Sequence, residues 1–218
     1  MFTRARRRIE PEILDDQAPE AGAKSLRDLV RINRYLGGHE ATRKAFRRVA
    51  PSGRFTVLDV GAASGDTAGA IRAAYPQASV TSLDYKEHHL RSAEGDRTVA
   101  DAFQLPFRPE AFDVVHCSLF LHHFEDDQVV KLLRGFRQIA RRAVIVNDLE
   151  RHALAYWFLP ATRWLLRWDP ITLHDGPISV QAAFTERELV DLARRAGLEQ
   201  IGTRVHRPAF RITLTATP

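Results

Sequence analysis

From residue 55 onward, short apolar runs bounded by turn residues alternate with segments whose apolar positions recur every three to four residues. The runs at 55–60, 79–84, 97–101, 112–118 and 143–147 predict buried strands, and 67–74, 86–92 and 126–140 predict helices between them. In 126–140, Val129, Val130, Leu133, Phe136 and Ile139 share one side. Upstream, Leu26, Leu29, Val30, Ile32 and Leu36 form a helical stripe stopped by Gly37-Gly38, and a second helix over 39–49 ends before Pro51. The stretch 148–184 breaks the alternation with a concentration of aromatics and prolines. A helix then starts at a capping box, Thr185 with Glu188, and closes at Gly197. Two last runs, 199–206 and 209–215, meet at Arg207-Pro208, too short a connection for anything but antiparallel pairing.

Strands alternating with helices predict a doubly wound α/β domain, its mostly parallel sheet covered on both faces and closed by an antiparallel last strand. Residues 1–50 read as a tail and helical cap. Residues 51–218 read as the main domain, with 148–184 as a helical, aromatic insert after the fifth strand.

Composition adds little to this picture: 218 residues, 44% hydrophobic and 27% charged, describe an ordinary globular chain. No apolar run is long enough to span a bilayer, and no apolar stretch follows the basic start, so a cytoplasmic location is expected. The single cysteine, Cys117, lies in an apolar run and reads as a buried thiol. The net charge of +5 owes four of its charges to Arg4, Arg6, Arg7 and Arg8, so the basic signal is expected to be a solvated tail, with binding to anionic lipid or nucleic acid as its alternative.

Candidate chemistry centres on Asp59-Val60-Gly61-Ala62-Ala63-Ser64-Gly65-Asp66, which leaves the first strand and opens a helix. It departs from the dinucleotide fingerprint: Ala63 stands at the second glycine and Asp66 at the third, where a carboxylate would face a pyrophosphate. No Gly-Lys-Ser/Thr follows, which excludes a P-loop, and no Tyr-x-x-x-Lys pair supports a reductase. An acid followed by G-x-A-x-G resembles the cofactor motif of the class I S-adenosylmethionine-dependent methyltransferases. Asp84, 23 residues after Gly61, ends the second strand, where an acid can accept both ribose hydroxyls. The resemblance extends to Asp101-Ala102 after the third strand, Leu105-Pro106-Phe107 before the fourth, and the final hairpin. Ser118-Leu119-Phe120-Leu121-His122-His123-Phe124 resembles the corresponding stretch of ubiquinone- and menaquinone-type methyltransferases. Asn147-Asp148-Leu149, 174–180 and 208–211 resemble methyltransferases that accompany bacterial polyketide synthesis.

The resemblance implies S-adenosylmethionine as cofactor, with Asp59, Gly61, Ala63, Gly65, Asp84, Tyr85, Asp101, Ala102 and Ser118 as its neighbours and Arg34 opposite the methionine carboxylate. It implies O- or C-methylation of a small aromatic, polyketide-like or quinone-like acceptor. Methyl transfer is an in-line displacement that needs alignment above all, and a base only for some acceptors. His174, on an insert expected to roof the acceptor pocket and next to Asp175, is the first candidate base, and His123 the second. Asn147-Asp148 is expected at the pocket floor. No metal is expected. Contact with a membrane is compatible with a lipophilic acceptor. A base-methylating enzyme would carry prolines where Ser118-Leu119-Phe120-Leu121 stands, so a nucleic-acid target is disfavoured; a protein target or a non-catalytic cofactor-binding role remain as rivals.

Overall fold

The computed structural model describes residues 6–16 and 19–218. Its frame is a seven-stranded sheet in the order β3-β2-β1-β4-β5-β7-β6. The strands are β1 (Phe55–Val60), β2 (Ala78–Asp84), β3 (Asp96–Val99), β4 (Phe112–Ser118), β5 (Ala140–Leu149), β6 (Glu199–His206) and β7 (Arg211–Thr217). The first five are parallel; β7 inserts between β5 and β6, antiparallel to both.

Strand alternation sends the two apolar sets to opposite faces. Leu58, Val115, Val146 and Leu214 pack under α5 (Asp126–Ile139) and α8 (Glu186–Arg195), meeting Leu133, Phe136 and Leu189. Val57, Val80, Val114 and Ile145 pack under α3 (Gly38–Val49) and α4 (Asp66–Ala74), meeting Phe46, Ala68 and Ile71. The capping box of Thr185 and Glu188 is present at α8, and Glu125 with Gln128 forms another at α5.

Two expected elements differ. The predicted 86–92 helix shrinks to a single 3-10 turn, His89–Ser92. The fifth strand runs Ala140–Leu149, longer at both ends than the apolar run, because Ala140 pairs with Phe112 of β4 at one end and Leu149 with Arg211 of β7 at the other. The insert forms two helices, α6 (Ala153–Leu166) and α7 (Pro170–Ala182), each with an internal proline. Together with α1 (Ile13–Asp16) and α2 (Pro19–Tyr35) they stand over the carboxyl ends of β4 and β5. Ser25 Oγ and Thr172 Oγ1 join α2 to α7 at 2.9 Å, and Asp28 accepts from the Asp169 N–H at 2.7 Å.

The basic amino terminus is not a solvated tail throughout. Arg4 lies outside the described residues, but the Arg7 side chain is 5% exposed. It stacks on Phe184 and donates to Asp126 and to the carbonyls of Ala182, His122 and Phe124. The segment after it is held by Asp175, whose two oxygens accept from the N–H groups of Ile13 and Leu14 at 3.0 and 2.9 Å.

Candidate functional site

The strand order reverses between β1 and β4, and a crevice at such a point, beyond the carboxyl ends of the strands, is where open α/β sheets bind ligands. The 61–65 loop turns there on three left-handed residues, Gly61 (φ 67°), Ala63 (φ 45°) and Gly65 (φ 74°). A Cβ on Gly61 would lie 2.4 Å from the Phe120 ring, and one on Gly65 would lie 2.6 Å from the Ala93 Cβ. Glycine is therefore required twice over at both positions. Ala63 holds a strained conformation that is offset by its N–H, which donates to Asp84 Oδ2 at 3.0 Å. The N–H of Ala62 donates to the Leu83 carbonyl at 3.0 Å and ties the loop to β2.

Asp84 is the hub of this end of the sheet. It is 6% exposed, its Oδ1 accepts from the Lys86 N–H at 3.0 Å, and His89 Nδ1 stands 3.3 Å away. Burial opposes its ionisation, but the hydrogen bonds from His89, Lys86 and Ala63 more than offset this and hold its pKa below the usual carboxylate value. Next to it, Tyr85 and Val99 leave an apolar apron bare, 66% and 54% exposed, with Val99 paired to Asp84 across the sheet. Asp101 is exposed and accepts from the Phe103 N–H, and Ala102 and Ser118 are half-buried along the same edge. Asp59, in contrast, is 1% exposed and bonded to His116 Nδ1 at 2.7 Å beneath the loop.

A cavity of about 500 Å³ adjoins this edge, walled mostly by apolar side chains of α2, α6 and α7, among them Leu29, Ile32, Phe158 and Val180. Leu119 lines it while the neighbouring Phe120 lies on Gly61, so one dipeptide separates the loop from the cavity. Polar groups gather at two places. At one, His122 and His123 stack at 4.3 Å between ring centroids. His122 is fully buried, with Nδ1 2.6 Å from Asp148 and Nε2 3.7 Å from Glu12. Burial disfavours its charge, but Asp148 and Glu12 prevail and raise its pKa to about 10. His123 Nδ1 is 4.0 Å from Glu12, which also accepts from Ser179. These three donor groups lie within 4.8 Å of one another. Their imidazole planes are only 28° apart and stacked, whereas rings sharing one ion converge on it, so the cluster reads as a charge network.

At the other place stands Arg211, 1% exposed, with Nη2 donating to Asn33 at 2.8 Å and Nη1 without a partner. Burial lowers its pKa to about 10, against the opposing charge of Asp148. Neither Arg211 nor Glu12 stands out in the sequence: an arginine inside a strand pattern and a glutamate before a helix are ordinary until the fold brings their partners.

Four of the expected residues do not line the cavity. His174 is not on the cavity wall; its side chain is 51% exposed and bonded to Asp175, while the neighbours Asp175 and Gly176 face inward. Asn147 and Asp148 are not the pocket floor but buried supports: Asn147 donates to Gly38 and Thr42, and Asp148 accepts from His122 and the Leu121 N–H. Arg34 is exposed, resting over Tyr35.

A family model described as a methyltransferase domain matches residues 57–143, from β1 to β5. A demethylmenaquinone methyltransferase of Thermotoga maritima is 31% identical over 161 residues, which cover 66% of this chain and 69% of that protein. The chain belongs to the class I S-adenosylmethionine-dependent methyltransferases. It is an enzyme of methyl transfer, and S-adenosylmethionine is its cofactor. In fold it is similar to a methyltransferase of Aquifex aeolicus (TM-score 0.61, 16% identity, covering 92% of this chain and 98% of that one). It is also similar to human N-acetylserotonin methyltransferase in complex with its cofactor (TM-score 0.67, 16% identity, 96% of this chain), although it spans only 60% of that longer chain. Among the described residues no helix is long and apolar enough to cross a membrane.

Proposed function

We propose that this methyltransferase acts on a small lipophilic acceptor with an aromatic, polyketide-like or quinone-like ring, at oxygen or carbon. The observation that carries this reading is the cavity of about 500 Å³, mostly apolar and one dipeptide away from the glycine loop. That volume suits a ligand of a few fused or substituted rings.

The donor site of this reading is assembled from the loop and the sheet edge. Gly61, Ala63 and Gly65 let the backbone approach the methionine portion, Asp84 receives the ribose hydroxyls, and Tyr85, Asp101 and Ala102 frame the adenine, with Ser118 at the fourth strand. Asp59 supports the loop from beneath through His116. When bound, the cofactor supplies a methyl group on a positively charged sulfur. The chain's own residues align the acceptor, exclude water and take up a proton where the acceptor loses one. His123 is the more exposed of the two imidazoles on the cavity wall, next to Glu12, and is preferred to His174 as base. His122, held charged by Asp148 and Glu12, positions it.

Transfer of labelled methyl to hydroxylated naphthalenes and quinols tests the reading. Turnover on these and none on RNA or bulk protein is expected; labelling of a macromolecule alone would refute it. His123→Ala should cut kcat with cofactor affinity kept, and His174→Ala should leave both within a factor of about three.

A further inference from the structure

Helix α6 carries an apolar face that nothing in the described chain covers. Leu154, Trp157, Trp164 and Leu165 are 65%, 61%, 83% and 81% exposed. With the exposed Ala161 they fall within about 100° of the helix circumference at about 3.6 residues per turn. Two bare indoles beside two bare leucines form a contiguous patch of the kind that marks an interaction surface.

The flank of the patch indicates what it meets. No Asp or Glu occurs between His152 and Trp168, whereas Arg163 and Arg167 are both exposed, and the Arg163 guanidinium lies 4.9 Å over the Trp164 ring. Tryptophan and leucine on one side with arginine at the edge is the make-up of a helix that lies in a membrane interface. A second copy of the chain is a poorer occupant. A contact of α6 with its own equivalent would set Arg163 and Arg167 beside a helix that carries no carboxylate to pair with them. The inner side of the same helix contributes Ala155, Phe158 and Leu159 to the cavity wall, so α6 separates the cavity from whatever covers its outer face.

We propose that the outer face of α6 docks on an anionic phospholipid surface, with its tryptophans and leucines in the headgroup–acyl boundary and its arginines among the phosphates. Docked in this way, α6 lets a lipophilic acceptor pass from the bilayer into the cavity. That passage rests on the proposed function; the docking itself does not.

The full chain is tested by flotation with vesicles of phosphatidylglycerol and phosphatidylcholine, and by its intrinsic emission. Two of its three tryptophans lie on the patch and Trp168 is buried, so a blue shift reports insertion. Binding to anionic vesicles at least tenfold tighter than to pure phosphatidylcholine is expected. Trp164→Ser with Leu165→Ser should weaken that binding at least tenfold while product affinity and thermal midpoint stay unchanged, and Arg163→Gln with Arg167→Gln should remove the preference for anionic lipid. A wild-type chain that does not float, a serine variant that floats as well as wild type, or a dimer in light scattering that the serine variant dissociates would each overturn the docking. Lost docking with intact methyl transfer to a water-soluble phenol would leave the proposed function standing. Intact docking without transfer to any small acceptor would do the reverse.

Discussion

Asp84→Asn is the substitution that separates the two roles of the donor site. In the wild type one carboxylate oxygen accepts from Ala63 and the other from Lys86, each at 3.0 Å, and the group is kept ionised by these bonds and His89. The amide keeps one acceptor and turns an NH₂ against one of the two backbone donors. It also removes the charge that would strengthen the proposed bonds to the ribose. A hydrogen bond to a charged group contributes about 1.5–3 kcal/mol, so cofactor affinity should fall about ten- to hundredfold. Calorimetric titration with S-adenosylhomocysteine reads that loss, and thermal unfolding without ligand reads the loosening of the strained Ala63 turn. In the wild type, affinity should stay level from neutral pH downward and decline only below the ordinary carboxylate value, because the pKa of Asp84 is the lowered one. An affinity within a factor of about two of wild type would refute the ribose assignment. A drop that merely tracks unfolding of the ligand-free variant would leave Asp84 as loop support alone.

Two further substitutions probe the frame around the cavity. His122 contributes stability that is fully present below its unfolded value of 6.5 and is lost as pH rises through about 10, because its folded pKa is the raised one. Chemical denaturation from pH 6 to 10 should therefore show a decline that His122→Gln flattens; a slope that persists in the variant would assign it elsewhere. Arg7→Ala strands the carbonyls of Ala182, His122 and Phe124 and should cost about 3 kcal/mol, a fall of about 6–12 °C in Tm by calorimetry. A change under about 1 °C would return Arg7 to the status of a solvated tail residue.

The central parallel strands were legible because they are short apolar runs covered on both faces, as with 55–60 and 112–118. The loop was legible because its requirement is local: Gly61 and Gly65 turn the backbone at positive φ, which favours glycine whatever lies beyond. The acceptor side was not local. Arg7, Glu12 and Arg211 take their roles from partners far along the chain, such as Asn33 for Arg211, and no periodicity encodes that. The aromatic insert misled in a different way. Because α6 is apolar nearly all round, its sequence cannot divide the residues that wall the cavity, such as Phe158, from those left bare, such as Trp164. His174 was favoured because Asp175 follows it; Asp175 does hold its ring, but it also accepts from the N–H groups of Ile13 and Leu14, and the His174 side chain it holds is half exposed rather than on the cavity wall.

Calorimetric titration of the whole chain with S-adenosylmethionine and then with S-adenosylhomocysteine tests the donor site most directly. One site per chain is expected, at which the two ligands compete and which Asp84→Asn weakens at least tenfold. No heat with either ligand, or binding that Asp84→Asn leaves unchanged, would contradict the assignment of the 61–65 loop and Asp84 as the place where the methyl donor is held.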